Sequence, residues 1–338
     1  MKKSFKKIAF CLVILSLSVF ACYIARENNS IVVDNVIMKH KDLPKNFEGY
    51  KILQISDLHG RRFGENQEEL VNKINELDYD LVLFTGDYVI TKDKDLKPLE
   101  ELLEGINDDI PKYFVLGNAD GYPRNSELVK GHPFFDLFTK YNVKSLDYIG
   151  DEIKKGNESI WLTPMEYIIY DDIDKSVSDL SNVEDGSGVA LEQLKVEEEL
   201  MYERHKFGKA YSNAKNPFSI NVTHQSMDID KFPEIIKNHQ EWKSTDIDDG
   251  SGMKNTTIDW AISISGHTHG GQVRLPFIGA VASPNSGFFP GEMNIKGVHY
   301  YGGRAQYVNS GLGASGPKIL RFRVFNPPTV GLIELKAQ

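Results

Sequence analysis

Residues 51–60 read Lys-Ile-Leu-Gln-Ile-Ser-Asp-Leu-His-Gly, an apolar run that breaks into a carboxylate and an imidazole two positions apart. The first half has the composition of a strand buried on both faces, and the polar half begins where such a strand would end. The pattern returns twice downstream, where Leu81–Thr85 runs into Gly86-Asp87 and Tyr113–Leu116 into Gly117-Asn118. Between the runs lie Glu65–Leu77 and Leu96–Ile106, whose apolar spacing is that of amphipathic helices. Short apolar runs alternating with helical periods predict a βαβαβ unit and a largely parallel sheet.

The later chain reads differently. Ile160–Leu162, Tyr167–Tyr170, Phe218–Thr223, Trp260–Ser265, Gln306–Ser310, Ile319–Val324 and Val330–Leu335 are predicted strands, with a single helix near Leu191–Tyr202 among them. They predict a second sheet, mixed or antiparallel, packed on the first. The stretches 171–215 and 241–257 fit neither pattern. Their polar composition, with Asp-Gly-Ser-Gly at Asp185–Gly188 and again at Asp249–Gly252, predicts solvated insertions.

Composition narrows the function. With 338 residues, 41% hydrophobic and 26% charged, the chain is of ordinary globular type, read as one domain carrying insertions. A net charge of −9 argues against a sequence-independent grip on nucleic acid, which needs a basic surface to displace phosphate counterions. The two cysteines, Cys11 and Cys22, both lie near the amino terminus. The folded part therefore has no disulfide framework, thiolate zinc site or cysteine nucleophile. Lys2, Lys3, Lys6 and Lys7 precede the apolar run Ile8–Ala25, long enough to cross a bilayer as one helix. Residues 1–26 are read as a membrane anchor or signal segment and 27–338 as the domain, placed outside the cytoplasm by the positive-inside rule. Cleavage after Ala21, leaving Cys22 first and open to lipidation, or plain secretion would put the domain in the same compartment.

The polar residues that follow the runs carry the chemistry. Besides Asp57, His59, Asp87 and Asn118, they include His224 and the stretch Gly266-His267-Thr268-His269-Gly270-Gly271. Each lies at the carboxyl end of a predicted strand, the edge of an α/β sheet where ligands bind. Three oxygen donors and four imidazoles suit a pair of divalent transition ions. Alternate residues leaving a strand point the same way, so Asp57 and His59 can reach one ion, and the same reasoning pairs His267 with His269. Seven ligands shared by two ions leave each short unless a carboxylate bridges, and Asp87, at a central strand end, is the natural bridge. Any one of these motifs alone is a common turn or cap; the ordered set of five is what argues for a site. Arg61 and Arg62 follow the first motif and are candidate phosphate contacts. Arg274, Arg304, Arg321 and Arg323 read as solvated surface. Gly311–Gly316 satisfies the dinucleotide-binding pattern, but Pro317 and a further apolar run follow instead of a helix, so that reading is rejected.

The order Asp57-x-His59, Gly86-Asp87, Gly117-Asn118-x-Asp120, His224, Gly266-His267-x-His269 resembles the calcineurin-like metallophosphoesterases, over about Tyr50 to Leu335. Gly266–Gln272, Ser310–Gly313 and Pro327-Pro328 further resemble the bacterial membrane-associated phosphodiesterase branch, which includes enzymes that cleave UDP-diacylglucosamine at its pyrophosphate. The resemblance implies a four-layer α/β/β/α sandwich of two mixed sheets around a dinuclear Mn, Fe or Zn centre. It implies Asp57, His59 and His269 on one ion, Asn118, His224 and His267 on the other, and Asp87 on both. A bridging metal hydroxide would be the nucleophile. The family usually has histidine after the Asn, as acid for the leaving group, and here Ala119 stands there. Asp120, Tyr122 and His132 are the candidates to replace it. General acid help is worth about 10²–10⁴-fold, so its loss predicts preference for activated leaving groups such as pyrophosphate or aryl esters. The expected function is hydrolysis of phosphoric esters or anhydrides, of phosphodiesterase or pyrophosphohydrolase type, on a phosphorylated small-molecule or lipid-linked substrate at the outer face of a bacterial membrane. The alternative is a non-catalytic metal- or phosphate-binding surface protein in which Ala119 marks a degenerate site.

Overall fold

The computed structural model describes residues 2–90, 95–121, 132–147, 149–164, 202–203, 206–228, 260–292, 294–318 and 321–338. The expectations for Tyr167–Tyr170, for most of Leu191–Tyr202, for most of the insertion 171–215, for the insertion 241–257 and for Tyr122 fall outside the described residues, but the described end of 171–215 is helical and buries Phe207 and Tyr211 rather than standing in solvent.

Among the described residues, two six-stranded sheets form the body. The first has the order β1 (Val32–His40), β15 (Thr329–Ala337), β2 (Lys51–Ile55), β3 (Leu81–Thr85), β4 (Lys112–Val115), β5 (Val143–Ser145). Strands β2 to β5 are parallel, as the βαβ pattern predicts, and β15 runs antiparallel to β2. The second has the order β13 (Gly297–Tyr301), β14 (Arg304–Val308), β9 (Ile262–Ser265), β8 (Phe218–Val222), β7 (Glu158–Pro164), β6 (Asp151–Lys155). Its four central strands are parallel and its two edges antiparallel, so both sheets are mixed.

Side-chain alternation explains the layering. Along β2 and β3, Ile52, Leu81 and Leu83 face the second sheet and meet Ile160, Ile220, Ile262 and Ile264. Leu53, Ile55, Val82 and Phe84 face the other way, onto α2 (Glu68–Asn75), α3 (Lys97–Gly105) and α4 (Pro133–Lys140). Strands covered on both faces read as continuous apolar runs, which is why they were legible in the sequence. Phe138 of α4 stacks on Phe114 of β4 at a centroid distance of 4.1 Å, tying helix layer to sheet. Beyond the second sheet, Phe207 and Tyr211 of the helical stretch 206–213 pack on Trp161. The layers are therefore α/β/β/α, with the fourth represented among the described residues by that one stretch.

Two sequence expectations change. Residues 321–323 are not a strand, and Val324 makes only an isolated bridge to Val273. The strand β1 went unread because its sequence, VVDNVIMKH, mixes charges into its exposed positions at the sheet edge. It pairs in parallel with β15 from Val32↔Thr329 to His40↔Ala337, which brings the amino-terminal helix α1 (Lys2–Asn28) against the chain that precedes β15. That helix runs through Arg26 and Glu27 to Asn28, so the boundary expected at 26 falls inside it. Its last turn is tightened by Asn29 N–H to Arg26 O and Ser30 N–H to Glu27 O, both 3.1 Å.

Candidate metal centre

All five motifs emerge at one edge, where the parallel strands of both sheets end. Hydrogen bonds within and between the sheets fix that edge. Gln54 Nε2 donates across to Ser265 O at 2.9 Å and within its own sheet to Thr85 Oγ1 at 2.8 Å, and His224 Nδ1 donates across to Thr85 O at 2.8 Å. The ligand residues do not continue the strands. Asp57, His59, Asp87, His267 and His269 all have positive φ, between 47° and 72°. Such left-handed turns are uncommon for residues other than glycine and cluster at functional sites, where surrounding structure holds them.

This geometry revises how the side chains converge. Asp57, His59 and His269 have ligand atoms within 4.8 Å of one another, as do Asp87, His224 and His267. Strand alternation would have aimed His267 and His269 at one ion, but the left-handed turns send them to different groups. The side chains thus fall into one group of Asp57, His59 and His269 and another of Asp87, His224 and His267. The groups adjoin: His59 Nε2 lies 3.3 Å from His269 Nε2, and His267 Nδ1 lies 3.0 Å from His224 Nε2. Asn118 Oδ1 is 3.2 Å from His224 Nε2, which places the amide with the second group. Asp87 Oδ2 is 3.4 Å from His59 Nε2 and 3.3 Å from His224 Nε2, between the two groups.

The donors suit divalent ions. His59 Nδ1 and His224 Nδ1 each face a backbone carbonyl, Val89 O at 3.3 Å and Thr85 O at 2.8 Å. A carbonyl only accepts, so Nδ1 carries the hydrogen and a neutral ring points a bare Nε2 into the site. Burial pushes the His59 and His269 imidazoles below their usual range and His267 down to about 4, with the His224 charge adding to the effect at His267. Neutral imidazole is the ligand form. Burial works against charge at His224 too, but the hydrogen bond and charge of Asp87 hold it up to about 9. The carboxylates therefore call for positive charge where Asp87 and His224 meet. Burial pushes Asp57 up; it also works to raise Asp87, but hydrogen bonding and charge from His224, the charge of His59 and the Ala119 N–H bring Asp87 below the usual range.

The surrounding shell holds each carboxylate. Asp57 Oδ2 accepts from Ser56 Oγ at 2.5 Å and from His267 N–H at 3.1 Å, and Asp87 Oδ1 accepts from Ala119 N–H at 2.7 Å. Asp120 accepts at Oδ2 from Asp87 N–H and Gly117 N–H, both 2.8 Å, and at Oδ1 from Tyr88 N–H at 2.7 Å and Val89 N–H at 3.3 Å. With its oxygens taken by the backbone, it clamps the Asp87 turn rather than facing a leaving group. Burial pushes it up to about 7 despite those donors. Gly86, at φ 87°, brings the chain so close to Gly117 and the His224 ring that a Cβ would lie 2.6 Å from Gly117 N and 2.8 Å from His224 Nδ1.

The arginines fall elsewhere. Arg61 Nη2 donates to Asn28 O at 2.6 Å and Asn29 Oδ1 at 3.0 Å, and Arg62 pairs with Glu101 of α3 at 2.8 Å. Both guanidinium groups are thus engaged outside the ligand set. His132 lies at the start of α4, beside Phe134 and Phe135. Arg323, expected at the surface, is fully buried. It donates to Ser310 O and, at 2.8 Å, to Gly313 O, beneath the Asp57 turn. Its partners are carbonyls contributed by loops, so its sequence context carried no signal of burial. The same holds for Asn326, whose Nδ2 donates to His269 O at 2.7 Å. The glycines of 311–316 precede no α-helix among the described residues, and the loop passes under Asp57, with Gly313 N–H donating to Asp57 O at 2.6 Å.

Comparison with known proteins agrees with this geometry. Residues 50–271 match the family model for calcineurin-like phosphoesterases. An uncharacterised metallophosphoesterase of Campylobacter jejuni is 26% identical over 335 residues, covering 98% of this chain and 71% of the relative. One of Bacillus subtilis is 25% identical over 316 residues, covering 92% of this chain and 87% of the relative. A zebrafish (Danio rerio) transmembrane protein with a metallophosphoesterase domain is 26% identical over 146 residues, 42% of this chain and 32% of that protein. With the family model matched over residues 50–271, the chain belongs to the calcineurin-like phosphoesterases, metal-dependent hydrolases of phosphoric esters.

Proposed function

We propose that the protein is a phosphodiesterase or pyrophosphohydrolase working with two divalent ions at the outer surface of a membrane. The observation that carries the two-ion reading is Asp87 Oδ2, 3.4 Å from His59 Nε2 in one group and 3.3 Å from His224 Nε2 in the other. One carboxylate oxygen so placed can serve both groups. Asp57, His59 and His269 would hold one ion and Asn118, His224 and His267 the other; imidazole, carboxylate and amide donors without thiolate suit Mn, Fe or Zn. Two ions bound there would neutralise phosphoryl charge and make water nucleophilic near neutral pH.

The protein's own groups then set the preference. Asp120 holds the Asp87 backbone N–H, and the Ala119 N–H donates to the Asp87 carboxylate. Position 119 offers a methyl group and no proton. That favours substrates whose leaving oxygen departs without protonation, such as a pyrophosphate or an aryl ester. The apolar span Phe5–Asn28, exposed from Phe5 to Tyr23, supports an anchor, and with it a phosphorylated or lipid-linked substrate met at the bilayer. The leading lysines support an extracytoplasmic domain.

The test is hydrolysis of bis-p-nitrophenyl phosphate and p-nitrophenyl phosphate by the full-length protein in detergent, stripped by chelator and restored with Mn²⁺, beside Asp87→Asn. Restored activity of about two Mn²⁺ per chain, lost in the variant, is expected for a two-metal site. Full activity with one ion per chain would overturn the two-ion reading. Metal binding without hydrolysis of these esters or of lipid pyrophosphates would overturn the enzyme reading.

A further inference from the structure

We propose that the small sheet β10–β12 is a second membrane contact, its aromatic tip entering the head-group region of the bilayer that carries α1. This rests on the reading of α1 as an anchor. The strands are β10 (Val273–Leu275), β11 (Gly279–Ser283) and β12 (Gly287–Phe288), a three-stranded antiparallel unit outside both main sheets. At its turn and last strand Phe277, Ile278, Phe288 and Phe289 are 108%, 61%, 83% and 69% exposed. Four large apolar side chains in one small unit form the kind of patch that marks a protein or membrane contact.

The backbone adds an independent observation. Phe277, Phe289 and the exposed Phe325 all have positive φ, at 67°, 50° and 50°. A bulky side chain is disfavoured there, and glycine or asparagine would relieve the strain. Neither burial nor backbone preference accounts for phenylalanine at 277 and 289, whereas an apolar environment outside the protein would.

That environment follows from continuity with α1. Val273 bridges Val324 in parallel, and Arg274 N–H donates to Val324 O at 2.9 Å. The next residue, Phe325, donates its N–H to Glu27 Oε2 at 2.7 Å and sets its ring 5.5 Å from Tyr23 and 6.4 Å from Phe20 of α1. Phe20 lies about 12 Å along the helix from Asn28, inside the apolar span. The strand β10 therefore leaves Val324 in the local direction of the chain that lies against the apolar helix, with Phe277 beyond its far end. Lys318 and Arg321, in the same loop as Phe325, suit anionic head groups.

The unit is also mounted on the metal loop. Asn285 Nδ2 donates to His267 O at 2.6 Å, and Ser283 Oγ donates to Thr268 O at 3.4 Å. Lipid contact at the tip would hold the ligand turn at a fixed height above the head groups.

The test uses the full-length chain, whose native cysteines are Cys11 and Cys22. Four single-cysteine proteins would carry a bimane label: Phe277→Cys, Phe288→Cys and Glu76→Cys, each with Cys11→Ser and Cys22→Ser, and native Cys11 with Cys22→Ser alone. None of these substitutions removes a buried side chain. Each would be reconstituted into phosphatidylcholine–phosphatidylglycerol vesicles with plain or brominated acyl chains. The expected result is loss of fluorescence to bromolipid at Cys11, at 277 and at 288, with none at 76. Quenching at Cys11 without quenching at 277 and 288 would overturn the proposal and leave the anchor standing. Absence of quenching at Cys11 as well would overturn both. A blue shift at 277 without bromolipid quenching would place the label against protein, the same chain or a second copy of it, and overturn the lipid contact.

Discussion

Asn28 and Arg323 are joined in both directions: the Asn28 amide accepts from Arg323 N–H and donates to Arg323 O, each at 2.8 Å. The last residue of the apolar helix is thereby fastened to the residue whose guanidinium binds the loop under Asp57. Asn28→Ala would strand both backbone groups of Arg323 in the interior, where an unsatisfied polar group costs about 1–3 kcal/mol. The expected outcome is a lower urea midpoint with an unchanged slope. An unchanged midpoint would mean that the helix end carries no weight in the fold.

Ala119→His restores the one side chain by which this site departs from its family's pattern. The Ala119 N–H bond to Asp87 uses the backbone and survives the exchange. Turnover of methyl p-nitrophenyl phosphate, with its good leaving group, should change little. Turnover of dialkyl phosphates should rise, by up to about 10²-fold if the imidazole protonates the leaving oxygen. Equal changes for both substrates would show that the new ring does not reach it.

Gly313→Ala tests whether the loop beneath Asp57 sets the ligand geometry. A Cβ there would lie 2.6 Å from Leu58 O, 2.7 Å from Asp57 O and 2.9 Å from His59 Cβ, and two of these are backbone atoms that cannot swing aside. Metal affinity should fall about 10- to 100-fold, the scale of changes that misalign ligands without removing them. Calorimetric titration with Mn²⁺ measures it, and wild-type affinity would disconnect the loop from the site.

Asp147 makes pH matter away from the ligands. It is buried, and burial pushes its carboxyl up to about 7 while Leu116 N–H and Ser145 Oγ pull the other way. The folded state therefore holds this proton more tightly than the unfolded chain. The resulting stability is fully present below about pH 4 and is lost as pH rises towards 7. Asp147→Asn should flatten that fall, stabilising the protein at pH 8 by a few kcal/mol at most and having little effect at pH 4. Urea unfolding in chelator at the two pH values gives the comparison. Equal effects at both would exclude the titration.

The sequence by itself determined the sheets' central strands and the candidate side chains that gather at their ends. Strands buried on both faces must be continuously apolar, so β2, β3, β4, β8 and β9 stood out, and each polar residue that interrupts their ends needed a reason to be there. Edge strand β1 and the small sheet β10–β12 carry no such constraint and were not legible. Spacing alone also misdirected His267 and His269, because it assumes extended chain where the structure has left-handed turns at both. The burial of Arg323, the commitment of Arg62 to Glu101 and the clamp that Asp120 forms on Asp87 depend on segments far apart in sequence. Arg323 and Asp120 meet carbonyl and amide groups that every residue carries, so residue identity does not announce those contacts, and Arg62 meets a carboxylate of α3 that spacing does not pair with it. Only the tertiary structure, by deciding which backbone groups are left to be satisfied and where, gave these side chains their roles.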